Sequence, residues 1–480
     1  MNRHPHARLT FTILALVGVA IDLTARGQVE STPPIHLVIL HANDTHGDLD
    51  PVVVRGQQVA GMARMATVVR QVRAENPDSV LLLHAGDILS RGDALTVHWG
   101  GDLNFRVMDA MGFDALTPGN GDFYFGLDNL RRLGHAVRFP LLHANTTLAG
   151  TDIAPFVPMM TTTVQGVRVA IIGVGCLNKD HPTTSLLTYR EPEDCVGEWA
   201  ARLRPQCDLL IALTHIGVGP DKNLAEKVPA LDLIVGGHSH TRIDTPIRVR
   251  RRKAPGTIAI AQAAAEGKFL GRIDLFMHRT VTNTVIDHIE GRLISLDETV
   301  AEDPVVNAIL EPGRAALAAT VATLDEPLEN GGFVGNPMGD FTAEAIRQQT
   351  GADVALLDRG AVVAGLPAGK VTLGNICQVH PWRNHVLLLT CTGTQLATWI
   401  AAFQPLVAGC EYRRVIVGIR GLRIGHAPAE AERYYRVAVG DYLRATTPQL
   451  RDYPADDTGV RVDSALEARL REMAKPKTAQ

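Results

Sequence analysis

Residues that commonly bind metals follow several apolar runs of this sequence, each at the point where the run ends. The clearest case is Val80-Leu81-Leu82-Leu83-His84-Ala85-Gly86-Asp87, in which Asp87 comes just after a run typical of a buried strand. Open α/β sheets keep their sites at the carboxyl ends of their strands. Asp87 is therefore our candidate for a carboxylate that a whole site shares.

Four further apolar runs also end in metal-type ligands. The residues concerned are carboxylate, imidazole and amide side chains: Asp44, His46, Asn120, His215, His238 and His240. Together with Asp87 they are the kinds of ligand that Zn, Mn or Fe accept. Two divalent ions roughly 3.5–4 Å apart need a bridging carboxylate and two sets of terminal ligands, and this set supplies both. The sequence therefore predicts a two-metal centre.

Each of these residues has an ordinary structural interpretation when it is taken alone. Asp44 could cap a helix, Asn120 could occupy a turn, and His215 could be a hydrogen-bonded core histidine. Five separate strand ends that all finish in such residues favour the metal centre over these interpretations.

The segments that carry these residues alternate between strand-like and helix-like patterns. Ile35–Leu40 and Leu209–Leu213 are short apolar runs, whereas Met62, Met65 and Val69 recur at helical spacing. This alternation predicts a sheet-based α/β domain over residues 35–292. We expect a linker helix over 303–323 and then a smaller α+β domain over 324–470.

The composition is that of an ordinary globular protein, since 46% of the 480 residues are hydrophobic and 20% are charged. The formal net charge of −4 gives no reason to expect a nucleic-acid or anionic-membrane surface. None of the six cysteines has a CxxC spacing, so that disulfides and buried free thiols both fit the pattern.

The first residues have the pattern of a secretory signal peptide. Arg3 and Arg8 precede a mostly apolar run from Leu9 to Ile21, and Thr24-Ala25 offers a small-residue cleavage site. We expect residues 1–25 to be removed and the mature chain to be secreted or periplasmic, without stable membrane insertion. A retained anchor is the alternative.

The order of the metal-type blocks resembles that of the calcineurin-like metallophosphoesterases. The blocks are Asp44-Thr45-His46, Gly86-Asp87, Gly119-Asn120, Thr214-His215 and Gly236-Gly237-His238-Ser239-His240. Beyond them the chain resembles the 5′-nucleotidase family in Gly335–Asp340, Leu366–Gly369 and Thr392–Leu396. The resemblance covers roughly residues 35 to 450.

This resemblance implies a four-layer αββα sandwich followed by a smaller α+β domain of the 5′-nucleotidase type. It also implies that Asp44, His46 and His240 hold one divalent ion and that Asn120, His215 and His238 hold a second. Asp87 would bridge the ions, which could be Mn, Zn, Fe or Co. A metal-bound hydroxide would attack the phosphorus of a phosphate monoester such as a nucleotide, which makes Asp87 and Asn120 part of the catalytic machinery.

The third block departs from the family, whose Gly-Asn-His-Glu appears here as Gly119-Asn120-Gly121-Asp122. The family's His stabilises charge on the phosphoryl group or protonates the leaving oxygen, and the loss of such a group commonly costs about 10²–10⁴-fold in rate. Gly121 has no side chain for this role. His135, His143 and Tyr124 are candidates to replace it.

The C-terminal domain also departs from the family. The Asn-Gly-Gly-Ile-Arg stretch, whose Arg faces phosphate or ribose, appears here as Asp358-Arg359-Gly360-Ala361-Val362-Val363. We take Arg359 as the candidate substrate-binding residue in its place. Tyr442 is the candidate for stacking on a nucleobase, with Phe403 and Trp382 as alternatives.

Three functions fit these patterns. The leading hypothesis is an exported two-metal hydrolase of a small phosphorylated substrate, a nucleotide or a related ester. The sulfur-oxidising thiosulfohydrolases have the same two-domain plan and also depart from the nucleotidases at the His position, so hydrolysis of a sulfur oxyanion is an alternative. A metal-binding protein with little turnover is the third.

Overall fold

The computed structural model describes residues 34–475 apart from 90–92, 180, 253, 281–282, 332–334 and 416–417. The predicted signal peptide, residues 1–25, lies outside the described residues. No helix in the described part of the chain combines the length and the apolar character that crossing a membrane requires.

The first part of the chain, the first unit, is built around two large sheets. Its strands are β1 (Ile35–Ala42), β2 (Val52–Val54), β3 (Gln57–Val59), β4 (Val80–His84), β5 (Ala115–Leu116), β6 (Thr146–Leu148), β7 (Met159–Val164), β8 (Val167–Gly175), β9 (Leu187–Tyr189), β10 (Leu209–His215), β11 (Leu233–Gly236), β12 (Ile247–Arg250), β13 (Thr257–Ala261), β14 (Phe269–Arg279) and β15 (Thr284–Ser295). One sheet has the order β15-β14-β1-β4-β5, and the other has the order β12-β13-β11-β10-β8-β7. Strands β1, β4 and β5 are parallel, as are β8, β10, β11 and β13, so the carboxyl ends of each set meet at one edge.

Helices cover the outer faces of both sheets. They are α1 (Met62–Glu75), α2 (Ala94–Trp99), α3 (Asp102–Met111), α4 (Leu127–His135), α5 (Pro192–Leu203) and α6 (Val218–Lys227). Leu37 and Ile39 of β1 point into an apolar core between the two sheets, whereas Val38 and Leu40 point into a second core beneath α1 and α3. This alternation follows from the two-residue period of a strand. The predicted αββα layering is therefore confirmed.

A smaller α+β unit forms the second part of the chain. Helix α7 (Pro304–Leu317) precedes this unit. The elements of the unit itself are β16 (Thr320–Leu324), α8 (Pro337–Thr350), β17 (Val354–Leu357), β18 (Gly369–Thr372), α9 (Leu373–Val379), β19 (His385–Thr392), α10 (Gly393–Phe403), β20 (Leu406–Ala408), β21 (Cys410–Arg414), β22 (Ile419–Ile424), β23 (Ala427–Pro428), β24 (Tyr434–Gly440), α11 (Asp441–Thr446), α12 (Pro448–Arg451), β25 (Ala455–Arg461) and α13 (Val462–Met473). The central sheet has the order β20-β17-β24-β19-β25.

The segment predicted as a linker helix over 303–323 contains a helix and then a strand. Helix α7 buries Val306 and Leu310 in the core beneath α1 and α3, so it packs against the first unit. Strand β16 pairs with β18 and belongs to the second unit. The chain therefore passes from one unit to the other between Leu317 and Thr320.

Candidate metal centre

The seven side chains predicted as metal ligands lie together where the two sheets meet. Asp44 and His46 follow β1, Asp87 follows β4, and Asn120 follows β5. His215 ends β10, while His238 and His240 follow β11. Parallel pairing brings these strand ends to one edge of each sheet, which is why residues far apart in sequence converge.

One group of nitrogen and oxygen donors consists of Asp44, His46 and His240. The Nε2 atoms of the two histidines are 2.8 Å apart, and His240 Nε2 lies 3.4 Å from Asp44 Oδ1. The backbone holds Asp44 by its other oxygen, because Oδ2 accepts from the backbone N–H of His238 at 2.9 Å. Asp44 Oδ1 is buried and has no hydrogen-bond partner within the described residues, as expected for a ligand atom of a cation.

A second group consists of Asn120, His215 and His238. His238 Nδ1 lies 2.9 Å from Asn120 Oδ1. The Nδ1 atom of His215 contacts the Ala85 carbonyl oxygen at 2.7 Å, so Nδ1 carries the proton and Nε2 is free to act as a ligand. His215 Nε2 is buried without a hydrogen-bond partner in the described part of the chain.

The carboxylate of Asp87 lies between the two groups. Its Oδ1 is 3.4 Å from His215 Nε2, and its Oδ2 is 3.9 Å from His46 Nδ1. Burial alone would raise the pKa of Asp87, but the nearby histidines His215 and His46 hold it below its usual range. Burial alone would lower the pKa of His215, whereas the carboxylates of Asp87 and Asp44 raise it to about 10. These carboxylates therefore create a strongly negative buried pocket that suits a cation.

A buried carboxylate fixes the turns that present Asp87 and Asn120. Asp122 accepts hydrogen bonds of 2.8–2.9 Å from the backbone N–H groups of Asp87, Ile88, Leu89 and Gly119. Gly121 donates its N–H to Asp87 Oδ1 at 2.6 Å and lacks the side chain that the family carries there. The departure at Gly121 therefore leaves the frame of the site intact.

Close packing requires glycine at position 119. A Cβ atom there would collide with the Asp87 carboxylate and would lie 2.6 Å from His215 Nε2. Asp44, His46, Asp87, His238 and His240 all have positive φ angles, between 50° and 79°. Such left-handed conformations cost non-glycine residues about 1–3 kcal/mol and cluster at functional sites.

Tyr124 connects this centre to a cavity between the two units. Its hydroxyl oxygen accepts from Asn120 Nδ2 at 3.2 Å and from Asn178 Nδ2 at 3.1 Å. The cavity has a volume of about 320 Å³, and its lining comprises Tyr124, Asn178, His181, Asp358, Gly360, Trp382, Asn384 and Tyr442. Its walls therefore come from both units, and three of the lining side chains are Tyr or Trp.

The other predicted residues occupy different places. Tyr442 lines the cavity, with its ring centre 6.4 Å from that of His181. Arg359 is outside that lining, and its Nε donates to the Gln404 carbonyl oxygen at 3.0 Å. Phe403 packs on the apolar core of the second unit.

The two histidines considered as replacements at position 121 differ in environment. His135 is exposed at the end of α4. His143 is fully buried, and its Nδ1 bonds to Thr146 at 2.9 Å. Of the three candidates, Tyr124 is the one that lines the cavity.

Cys176 lies beside the second group and was not predicted. Its Sγ is 3.5 Å from His238 Nδ1 and 3.6 Å from Asn120 Oδ1. Burial raises the pKa of the Cys176 thiol to about 12, and the Asp87 carboxylate adds to this shift. The sequence carries a signal that could have found it, because Val174-Gly175-Cys176 ends an apolar run in the same way as Gly86-Asp87 does.

Comparison with known proteins identifies the class to which this architecture belongs. Residues 37–242 match the calcineurin-like phosphoesterase family, and residues 318–447 match the 5′-nucleotidase C-terminal domain family. The chain belongs to the 5′-nucleotidase family of calcineurin-like phosphoesterases, which are hydrolases of phosphate esters. Membership of this family implies divalent metal ions, and the donor atoms described above fit such ions.

Two relatives and one solved structure illustrate this similarity. The trifunctional nucleotide phosphoesterase protein YfkN of Bacillus subtilis is 29% identical over 86% of this chain, which spans only 31% of that relative's length. A 5′-nucleotidase of Vibrio cholerae is 26% identical over 92% of this chain and 91% of its own length. The crystal structure of a 5′-nucleotidase precursor from Thermus thermophilus has the same fold, with a TM-score of 0.61 and 22% identity over 92% of this chain and 97% of that one.

Proposed function

We propose that this chain is an exported, two-metal hydrolase of phosphate monoesters whose substrate is a nucleotide or a related small ester. The observation that carries the proposal is the position of Asp87, whose two carboxylate oxygens face different groups of donors. The buried atoms Asp44 Oδ1 and His215 Nε2 lack hydrogen-bond partners within the described residues, which supports cation binding.

In this proposal Asp44, His46 and His240 would hold one ion. Asn120, His215 and His238 would hold the other, and Asp87 would be a ligand shared by both. Divalent ions bound there would activate a water molecule and neutralise charge on the phosphoryl oxygens. The chain's own contribution is a frame of buried hydrogen bonds that keeps the donors in position before the metals bind.

The cavity between the units is the proposed site for the rest of the substrate. Tyr442 and Trp382 offer aromatic surfaces for a nucleobase. A neighbouring cavity of about 710 Å³ contains Lys179, Arg444 and Arg451 together with Glu191, and its net positive charge favours an anionic substrate. Arg359 would contribute only after a rearrangement, since it is outside the lining of both cavities.

Tyr124 is our proposed replacement for the histidine that Gly121 lacks. Its hydroxyl oxygen accepts from two amide groups, so its own proton remains available to a group in the cavity. A phenol so placed could donate to the phosphoryl group or to the leaving oxygen.

The Gly121→His variant tests this assignment. If no other group does this work, the added imidazole should raise kcat for phosphate monoesters by up to about 10²-fold, whereas kcat should stay nearly unchanged if Tyr124 already does it. An unchanged kcat in a folded, metal-loaded variant would mean that another group already acts there. In that case Tyr124→Phe should lower kcat, whereas Tyr434→Phe, which changes a Tyr that is 69% exposed, should not.

The proposed function itself is tested with a panel of substrates and metals. The mature chain would be loaded with Mn²⁺, Zn²⁺ or Co²⁺ and supplied with nucleoside monophosphates, sugar phosphates and cyclic nucleotides. We expect phosphate release from at least one monoester. The absence of turnover with every metal, in protein that has bound metal, would contradict the proposal and favour a metal-binding protein.

Gly121 also favours a second candidate, the hydrolysis of a sulfur oxyanion, because that reaction class dispenses with the histidine at this position. Sulfate release from a thiosulfonate on a carrier protein's cysteine would support it. Phosphate release without sulfate release would exclude it.

We also propose the export of the chain and its division into a catalytic domain over 35–292 and a substrate-binding domain over 324–470. The apolar run from Leu9 to Ile21 and the small-residue site at Thr24-Ala25 support export. Expression of the full chain in a Gram-negative host should give a periplasmic protein whose N-terminus lies near residue 26. An uncleaved chain in the membrane fraction would indicate a retained anchor.

A further inference from the structure

A sixth strand end reaches the metal centre. Strand β8 is parallel to β10 and pairs Gly175 with His215, so the next residue, Cys176, emerges beside the donors. The backbone N–H of Cys176 donates to the His215 carbonyl oxygen at 3.0 Å and continues this pairing. The position of Cys176 is thus set by the same sheet that positions His215.

The distances around the Cys176 thiol match those between ligands of one ion. Metal–sulfur bonds of about 2.3 Å and metal–nitrogen bonds of about 2.1 Å place tetrahedral ligands roughly 3.5 Å apart. Sγ lies 3.5 Å from His238 Nδ1 and 3.6 Å from Asn120 Oδ1. Donor atoms of Cys176, His215 and His238 all lie within 4.8 Å of one another.

Two further side chains aim donor atoms at the same point. His215 is fully buried, and its Nδ1 contacts the Ala85 carbonyl. Its Nε2 has no hydrogen-bond partner within the described residues and lies 3.4 Å from the Asp87 carboxylate. Asn120 donates its amide nitrogen to Tyr124, which turns Oδ1 towards Cys176 and His238. The Cys176 thiol therefore lies near an independent ligand atom, His215 Nε2, which has no hydrogen-bond partner within the described residues.

We propose that Cys176 is a sulfur ligand of the ion held by Asn120, His215 and His238. This inference rests on the proposed metal centre and makes its two halves chemically different. The half with Asp44, His46 and His240 offers only oxygen and nitrogen, whereas the other half also offers sulfur. Sulfur ligands favour Zn²⁺ and Co²⁺ over Mn²⁺. The two positions should therefore prefer different metals.

The absorption spectrum of the Co²⁺-loaded full chain tests the sulfur ligand directly. A thiolate bound to Co²⁺ gives a near-ultraviolet charge-transfer band that oxygen and nitrogen ligands do not produce. We expect this band in the wild-type chain and its loss in Cys176→Ser. Cys410→Ser is the matched control, because Cys410 is also a partly buried free thiol but lies on β21 of the second unit.

Competition between metals gives a second readout. Cys176→Ser should weaken the tightest Zn²⁺ binding by about tenfold or more, comparable to other losses around metal sites, and should leave the Mn²⁺ affinity nearly unchanged. Cys176→Asp, which restores an anionic ligand, should recover metal binding without the charge-transfer band.

Each outcome distinguishes the sulfur ligand from the metal centre itself. Bound Co²⁺ without the band in wild-type protein would overturn the assignment of Cys176 and leave the metal centre standing. A band that persists in Cys176→Ser would also overturn it. A wild-type chain that binds neither Co²⁺ nor Zn²⁺ would overturn both proposals.

Discussion

Two regions differ in burial and in hydrogen bonding. One is the metal-donor cluster, and the other is the part of the cavity wall that belongs to the second unit. Asp44, Asp87 and His215 are at most 4% exposed, and backbone or side-chain hydrogen bonds hold each of them. Tyr442 is 38% exposed, and Trp382 is half-buried with its Nε1 bonded to the Gly360 carbonyl. These three donors are thus buried and held by hydrogen bonds, whereas the aromatic wall is more exposed to solvent.

The difference suggests that metal binding and substrate choice can change independently. A donor in the buried cluster shares its neighbours with the other donors, so a substitution there disturbs the whole site. Half-exposed side chains on another unit can be exchanged at little cost to the frame. This agrees with the sequence, in which all seven predicted ligands are present while the stretches expected to face the substrate depart from the family.

Removal of the Asp87 carboxylate, which the two donor groups share, should have the largest effect on this difference. We expect Asp87→Asn to lower the affinity for Mn²⁺ by about 100-fold or more, since even changes behind a metal ligand cost about 10–100-fold. Phosphatase activity should fall with it. Metal content after dialysis at a fixed free Mn²⁺ concentration measures the effect.

The matched control is Asp128→Asn, whose carboxylate is 100% exposed on α4 and should leave metal content unchanged. Wild-type metal content in a folded Asp87→Asn protein would show that Asp87 is not a ligand.

The second test disturbs the packing of the cluster without removing a donor. Gly119→Ala places a methyl group against Asp87 and His215, and overpacking of this kind costs about 1–3 kcal/mol. We expect a lower Tm in the metal-free state and a lower affinity for Mn²⁺. Thermal unfolding with and without Mn²⁺ measures both.

Gly197→Ala is the control for this substitution. A Cβ atom at this position in α5 would meet only Val228, at 3.9 Å, and alanine favours a helix interior by roughly 0.5–1 kcal/mol. The control should therefore raise the Tm. A higher Tm in Gly119→Ala as well would contradict the close packing of Asp87 and His215 against position 119.

The smallest expected effect concerns the aromatic wall. Loss of a stacking contact worth about 0.5–1.5 kcal/mol should raise KM for a nucleoside monophosphate by about 2–12-fold in Tyr442→Ala. KM for glycerol phosphate, which has no ring, should not change. Steady-state kinetics on the two substrates separate stacking from damage to the metal centre.

Tyr434→Ala, at a Tyr that is 69% exposed, should leave both KM values as they are. Equal increases in KM for both substrates in Tyr442→Ala would argue against stacking of the base on Tyr442. Trp382 would then be the next candidate for this contact.

The fold and the donor types were predictable because both depend on short-range patterns. Short apolar runs such as Leu209–Leu213 are typical of buried strands in a sheet covered on both faces, and parallel strands bring their carboxyl ends together. Residues that follow several such runs must therefore be neighbours. The same reasoning, applied to Val174-Gly175-Cys176, would have included Cys176, whose residue type made it look like an ordinary core thiol.

The seven candidate donors and a sheet-based α/β domain could thus be predicted from local patterns, because strand ends and residue types are local properties. The αββα order was implied by the family resemblance. Only the tertiary structure decided that Asp87 turns one oxygen to each group and that Cys176 joins Asn120 and His238. It also decided that Tyr124 meets Tyr442 and Trp382 across one cavity. These relations depend on side-chain rotamers and on the packing of the two units, which brings together residues as far apart in sequence as Tyr124 and Trp382. No local pattern encodes them.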